Sequence, residues 1–160
     1  MFSINDICSI AIQIEQNGER IYRAVAEKTD DRQLAQMLAW MADEEARHAK
    51  WFKSVAPGFG RSGSHEEIES MGLSLLREMM KDQSFSLGET ELLATDDILA
   101  LLAQSIEFEQ DTILFYEMLG SFIEEERTID QLKGVIKEEQ SHVEQLQRLQ
   151  RIYKGKRNES

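Results

Sequence analysis

Two of the three histidines in this chain follow a glutamate at the same short spacing. Glu45 precedes His48, and Glu139 precedes His142, each by three positions. Residues three apart on an α-helix share a face, so each pair presents a carboxylate and an imidazole together. Such groups are metal ligands in proteins. A lone Glu-x-x-His pair in a glutamate-rich chain is more often part of a solvated helix face, so the repetition decides between the two interpretations.

The sequence around these pairs repeats with an offset of 94 residues, the distance from His48 to His142. The same offset aligns Glu15 with Glu109, and no gap is needed. Because two copies of one unit fold alike, we expect the aligned glutamates to lie level with the Glu-x-x-His pairs. The repeat therefore predicts two equivalent sets of acidic and imidazole side chains.

All six side chains fall inside the apolar stripes of predicted helices, where an uncompensated carboxylate would cost several kcal/mol. Four carboxylates at one level repel each other, and no Lys or Arg repeats on that face. Two divalent cations would balance the four negative charges, and one imidazole per metal favours iron or manganese over calcium or magnesium. The sequence thus predicts a two-metal site with the ligands Glu15, Glu45, His48, Glu109, Glu139 and His142.

Other residues near this face have two interpretations. Tyr22 and Tyr116 lie two turns beyond the aligned glutamates, and they either pack as core aromatics or donate hydrogen bonds to ligand carboxylates. We therefore treat both tyrosines as candidate catalytic residues. Glu19, one turn past Glu15, is a rival ligand, but it aligns with Ile113, which favours a salt bridge or solvent for its carboxylate.

Three more glutamates and the single cysteine are expected to lie outside the site. Glu44, Glu107 and Glu138 are rotated by about 100° or 200° from the ligand face, which predicts surface charge. The single cysteine excludes an intrachain disulfide and a Cys-x-x-Cys metal site. We expect this residue, Cys8, to be a small buried side chain rather than a reactive thiol.

The composition predicts an all-α fold, since the 160 residues include only one proline and nine glycines. Apolar stripes with a 3.6-residue period indicate four long helices. Thr29-Asp30-Asp31 supplies the N-cap candidates of the second helix, and Thr95-Asp96-Asp97 supplies those of the third. We expect residues 1–154 to form one domain and residues 155–160 a polar tail. The helices are predicted at about 5–28, 31–54, 97–123 and 129–153.

The lengths of the connections predict the topology. Short links join the first helix to the second and the third to the fourth, which makes two antiparallel hairpins. About 40 residues separate the hairpins, enough for a long crossover. This connection contains Pro57 and a capping-box pattern from Ser64 to Glu67 that predicts one short helix to about Lys81. We therefore expect a four-helix bundle of two antiparallel hairpins with a single long crossover.

Charge and hydropathy exclude several functional classes. The chain has 18 Lys and Arg against 30 Asp and Glu, a formal charge of −12. This charge repels nucleic acid and anionic membrane surfaces. No apolar run approaches the roughly 18 residues of a spanning helix, and the first residues lack the basic region of a signal peptide. We expect a cytoplasmic protein.

The chain resembles the rubrerythrin branch of the ferritin-like superfamily over nearly its whole length. It departs from that pattern in two places. Its single cysteine, Cys8, leaves no rubredoxin domain, and Thr112 and Ile113 stand where the family tends to carry an additional glutamate. The similarity rests on Ile14-Glu15 with Tyr22, Glu44-Glu45-Ala46-Arg47-His48, Phe108-Glu109 with Phe115-Tyr116, and Glu138-Glu139-Gln140-Ser141-His142.

This resemblance implies a non-haem diiron oxidoreductase that reduces hydrogen peroxide, or dioxygen, at two iron ions, with manganese or zinc as substitutes. Without a rubredoxin iron, it implies an external electron donor such as a rubredoxin-type protein. Two alternatives stay open: ferritin-like iron oxidation and storage, and a helical interaction module that binds zinc or no metal. The number of Trp, Phe and Met residues favours a homodimer, in which the crossover would permit domain swapping.

Overall fold

The structure, a computed structural model, describes residues 4–59 and 97–159. Within these ranges it contains four α-helices and no strand, as the sequence predicts. The predicted short helix from Ser64 lies outside the described residues, and so does the third histidine, His65, which is not part of the sequence repeat. The helices are α1 (Ile4–Lys28), α2 (Arg32–Phe59), α3 (Ile98–Gly120) and α4 (Glu126–Glu159).

The helices form two hairpins, and the chain divides accordingly into two units, Met1–Arg77 and Glu78–Ser160. In the first unit a turn of three residues joins α1 to α2. The carboxylate of Asp31 accepts hydrogen bonds from the backbone N–H groups of Gln33 (3.1 Å) and Leu34 (3.2 Å), so Asp31, the last of the three predicted candidates, caps α2. The core of this hairpin consists of buried apolar side chains that include Ile14, Leu34, Leu38, Met41 and Phe52.

The second unit is built in the same way from α3 and α4. The carboxylate of Asp97 accepts hydrogen bonds from the backbone N–H groups of Leu99 (3.1 Å) and Ala100 (3.4 Å), so Asp97, one of the predicted candidates, caps α3. At the other end of α3, the Ser121 backbone N–H donates to the Met118 carbonyl. The core of this hairpin includes Leu102, Phe115, Leu119, Leu132 and Leu146.

Helix ends differ from the predicted positions. Helix α2 continues through Pro57 to Phe59, and α3 stops at Gly120, three residues before its predicted end. Helix α4 begins at Glu126 and runs to Glu159, so most of the predicted polar tail is helical. Lys, Arg and Glu are good helix formers, but a helical turn with few apolar residues leaves no stripe from which its end could be predicted.

Candidate metal centre

The first hairpin brings together one glutamate from α1 and the Glu-x-x-His pair of α2. Glu15, Glu45 and His48 are buried, with at most 1% of their surface exposed. The Nδ1 atom of His48 lies 3.5 Å from the Oε1 atom of Glu15. One ligand atom from each of the three residues lies within 4.8 Å of those of the other two. We call these residues the first ligand set.

The second hairpin repeats this arrangement with Glu109 from α3 and the Glu-x-x-His pair of α4. Glu109, Glu139 and His142 are 0% exposed. The Nδ1 atom of His142 lies 3.2 Å from Oε2 of Glu139 and 3.7 Å from Oε1 of Glu109. Here too, ligand atoms of the three residues lie within 4.8 Å of one another. These residues form the second ligand set.

Burial and like charge raise the proton affinity of the second ligand set. Burial, together with the neighbouring Glu139 carboxylate, raises the pKa of Glu109 from 4.5 to about 8. Burial alone would lower the pKa of His142, but the neighbouring carboxylates of Glu109 and Glu139 outweigh that effect and raise the pKa to about 10. The set therefore attracts positive charge, which a proton or a metal cation can supply.

The donor chemistry of each ligand set fits a first-row transition metal. Each set offers two carboxylates and one imidazole, and all six side chains are buried. Calcium and magnesium prefer oxygen ligands alone, whereas iron, manganese and zinc accept imidazole as well. Within each hairpin, the ligand atoms are close enough for one cation to contact all three residues.

The predicted candidate tyrosines are buried in the helices that carry the single glutamates. Tyr22 on α1 is 2% exposed and Tyr116 on α3 is 0% exposed. The ring of Tyr116 packs against Phe115 with a centroid distance of 5.9 Å and a tilt of 54°. Both residues therefore belong to the core, and their role as hydrogen-bond donors to ligand carboxylates stays a prediction.

Glu19, the rival ligand on α1, lies in a salt bridge. Its carboxylate is 2.8 Å from the guanidinium of Arg23, which also lies 2.9 Å from Asp43 on α2. Hydrogen bonds to these two carboxylates raise the pKa of Arg23 above its ordinary value. The predicted preference of Glu19 for a salt bridge is therefore confirmed, and Arg23 links the two helices of the first hairpin.

The prediction of surface charge is wrong in part. Glu107 is exposed, but Glu44 and Glu138 are only half-exposed or less. The Glu44 carboxylate lies 3.3 Å from Arg47, and one of its oxygens is within 4.8 Å of a ring nitrogen of His48. Its position four residues before His48 on one helix was the signal for this proximity. Glu44 is thus a neighbour of the first ligand set that sequence analysis missed.

Thr112, which departs from the family pattern, and the single cysteine, Cys8, are both buried. Thr112 is buried, and its hydroxyl donates a 2.8 Å hydrogen bond to the Phe108 carbonyl one turn earlier in α3. Cys8 is a buried free thiol, as expected from the sequence. Burial raises its pKa from 9.0 to about 12, so it is a poor nucleophile.

Comparison with known proteins decides the family. The profile of the rubrerythrin family matches residues 6–150. The chain belongs to the rubrerythrin family. Among curated proteins, none matches it significantly.

A solved structure supports the fold of this rubrerythrin-family chain. The crystal structure of a protein described as a ferritin-like diiron-carboxylate protein from Thermotoga maritima matches with a TM-score of 0.70. The match covers 94% of this chain and 95% of that chain, at 23% identity. This likeness confirms the predicted ferritin-like, all-helical fold. None of the helices in the described ranges has the length and apolar character of a membrane span.

Proposed function

We propose that the protein is a non-haem diiron oxidoreductase of rubrerythrin type that reduces hydrogen peroxide with electrons from an external donor. One observation carries the proposal: each hairpin buries two carboxylates and one imidazole whose ligand atoms lie within 4.8 Å of one another. Family membership and the sequence repeat support a joint role for the two ligand sets. In this proposal they hold two iron ions.

When bound, two ferrous ions supply the two electrons that convert one peroxide and two protons into two water molecules. The contribution of the chain is to create the environment for this reaction. The four ligand carboxylates balance the charge of two divalent cations, and their burial keeps bulk water away. In each hairpin the imidazole lies beside the single glutamate, at 3.5 Å for His48 and 3.7 Å for His142, so the contact orients both groups.

The two buried tyrosines have a proposed supporting role. Tyr22 and Tyr116 would each donate a hydrogen bond from the phenol to a ligand carboxylate, which fixes its orientation. Replacement of either by phenylalanine retains the packing of the ring but removes the donor. In the proposed role, each Tyr→Phe variant binds metal and reacts more slowly with peroxide. If wild type and variants react with peroxide at equal rates, the tyrosines contribute only the packing of their rings.

Histidine variants combined with a peroxide titration test the proposed function. We expect anaerobically loaded wild type to consume about one peroxide per two ferrous ions, seen as a change in the iron absorption spectrum. His48→Ala and His142→Ala each remove one imidazole, so we expect both to lose bound iron and peroxide consumption. His65→Ala is the matched control, because His65 lies outside the sequence repeat. Loaded wild type whose spectrum does not respond to peroxide would contradict the proposal.

Iron oxidation and storage is the competing function, because the ferritin-like fold and the acidic ligand sets suit it equally well. Storage requires a hollow shell of many subunits, whereas we propose a homodimer for the oxidoreductase. The mass in solution separates the two functions. A dimer of the 18.4 kDa chain supports the proposed enzyme, and a cage that retains many iron ions per chain supports storage.

A further inference from the structure

The C-terminal part of α4 has a charge opposite to that of the whole protein. No acidic residue lies between Glu144 and Glu159, although the chain as a whole has a net charge of −12. That interval contains five of the 18 Lys and Arg residues. We call residues 148–157 the basic segment. Its basic residues are Arg148, Arg151, Lys154, Lys156 and Arg157.

The described side chains of the basic segment are available to a partner. Its first four basic residues are exposed, and Ile152 among them has 47% of its surface exposed. The Lys156 ammonium lies 5.0 Å from the centroid of the Tyr153 ring, which holds this charge close to the helix. An exposed apolar side chain surrounded by positive charge is the arrangement of a small interface with a charged rim.

The basic segment continues the helix that carries two residues of the second ligand set. Glu139 and His142 lie on α4, and Arg148 follows His142 by six residues. With a rise of 1.5 Å per residue, Arg148 is about 9 Å and Ile152 about 15 Å beyond His142 along the helix axis. A partner bound to the segment would therefore contact the same rigid helix that presents metal ligands.

We propose that the basic segment is the docking surface for an acidic electron-donor protein. This inference rests on the proposed function, which requires electrons from outside the chain. Outside the segment, 13 Lys and Arg (18 less 5) face 30 Asp and Glu, so an acidic partner is repelled by the rest of the protein and attracted here. The charge distribution thus orients the partner as well as attracting it.

A long polyanion fits the same charges less well. Nucleic acid carries one negative charge per about 1.7 Å of duplex and extends past a ten-residue segment onto acidic surface. A small protein with a local acidic patch can contact the segment alone. The charge distribution therefore favours a compact acidic protein over nucleic acid.

Two variants with equal net charge test the docking surface. The segment variant replaces Arg148, Arg151, Lys154 and Lys156 by glutamine. The control variant replaces four exposed basic residues elsewhere by glutamine: Arg32, Lys50, Lys53 and Lys133. The probe is an acidic one-iron protein of rubredoxin type, with zinc in place of its iron for binding and with iron for electron transfer. Binding is measured by calorimetry with metal-free and metal-loaded protein. Electron transfer is measured by stopped-flow absorbance. Dithionite, a small reductant that needs no docking surface, serves as the comparison.

We expect the segment variant to bind the zinc-containing probe at least about tenfold more weakly than wild type and the control variant to change less than about twofold. Electron transfer from the iron-containing probe should fall in parallel, while reduction by dithionite stays unchanged. Equal weakening in both variants, or none, would overturn the docking surface. Tighter binding of a DNA duplex or of phosphatidylglycerol vesicles than of the probe would also overturn it.

Binding of the zinc-containing probe does not depend on peroxide chemistry, so this result separates the two proposals. A failure of the docking surface leaves intact the response of anaerobically loaded ferrous protein to peroxide. A failure of the proposed function abolishes that response, whatever the probe binds.

Discussion

The Nδ1 atom of His48 lies 3.5 Å from the Oε1 atom of Glu15, although 33 residues separate them in the chain. The aligned atoms of His142 and Glu109, also 33 residues apart, lie 3.7 Å from each other. Each hairpin thus sets the same contact between an imidazole and a carboxylate of its partner helix. The repeat in the sequence therefore corresponds to a repeat of side-chain geometry in the two hairpins. A salt bridge with only a structural role would not require this second copy.

The raised pKa values of the second ligand set predict opposite pH dependences for metal-free and metal-loaded protein. In the metal-free folded state, the pKa of Glu109 is about 8 and that of His142 about 10, above their values of 4.5 and 6.5 when unperturbed. The folded state retains protons that the unfolded state releases. The stability that these protons provide is present at low pH and is lost as pH rises through about 8 and about 10.

Metal binding requires deprotonated ligands, so its affinity increases with pH. We therefore expect the increase in melting temperature on addition of Mn²⁺ to grow between about pH 5.5 and pH 8.5. Thermal unfolding with and without the metal measures it. Calorimetry in buffers of different ionisation enthalpy should show proton release on binding. An increment in melting temperature that stays constant, or falls with pH, would contradict the assigned protonation states.

The sequence predicted most of the fold because its signals are local. Apolar periodicity and the capping stretches Thr29-Asp30-Asp31 and Thr95-Asp96-Asp97 identify helices without reference to the rest of the chain. The ends of α2 and α4 were missed for physical reasons. Pro57 lacks the backbone N–H that a helix interior uses, which predicts a helix end before it, whereas α2 runs two residues beyond it. The polar last turns of α4 bury too little surface to show a pattern.

The candidate site was predictable because burial of charged groups at repeated positions has few explanations. The apolar neighbours of Glu15 and Glu109 predicted their burial, and both are 0% exposed. The proximity of Glu44 to His48 was missed, because a helical rotation of about 100° does not exclude contact between long side chains. The sequence left two roles open for Tyr22 and Tyr116, packing or donation to a ligand carboxylate, since the torsion of a phenol hydroxyl leaves no trace in a sequence pattern.

Gly134 offers a test of helix stability in α4. It is an exposed position inside the helix, and an added Cβ atom would meet nothing within 4 Å. The repeat aligns it with Trp40, which is 44% exposed, so the aligned position in the first hairpin accepts a large side chain. We expect Gly134→Ala to raise the free energy of unfolding by about 0.5–1 kcal/mol, because alanine loses less backbone entropy on folding.

Denaturant unfolding measures this change, and Gly155→Ala is the matched control. An added Cβ atom at Gly155 would also meet nothing within 4 Å, but this residue lies near the C-terminal end of α4. Helix ends fray, so we expect the control to change the free energy of unfolding by less than about 0.3 kcal/mol. If Gly134→Ala lowers the free energy of unfolding, the added methyl group must meet a neighbour that the structure does not show at this position.

Arg23 should couple the two helices of the first hairpin. Its guanidinium contacts Glu19 on α1 at 2.8 Å and Asp43 on α2 at 2.9 Å. Because these groups are partly exposed, we expect a coupling energy of at most about 1 kcal/mol between Arg23 and Asp43. A double-mutant cycle with Arg23→Gln and Asp43→Asn measures it, and added salt should reduce it.

The pair Arg47 and Glu44 is the comparison, since these residues lie three apart on one helix, α2, with a contact of 3.3 Å. We expect their coupling energy to be about 0.2–0.5 kcal/mol, the usual value for pairs within one helix. If Arg23 and Asp43 show no coupling at low salt, the contact between α1 and α2 at this level depends on apolar packing alone.

Cys8 should be inert in the folded protein. Burial raises its pKa to about 12, and the side chain is 0% exposed. At about pH 8 only about one thiol in 10⁴ is ionised, so we expect almost no reaction with a disulfide reagent such as DTNB. Absorbance of the released thiolate measures the rate. After unfolding in guanidinium chloride, one thiol per chain should react at once. A similarly fast reaction of the native protein would contradict the burial of Cys8.

Anomalous X-ray diffraction at the iron absorption edge, from crystals grown with ferrous iron under anaerobic conditions, tests the central claim most directly. We predict two iron peaks per chain. One should lie in contact with Glu15, Glu45 and His48, and the other in contact with Glu109, Glu139 and His142. A map with no iron at these six side chains, or with iron bound only at surface carboxylates, would contradict the proposed diiron centre.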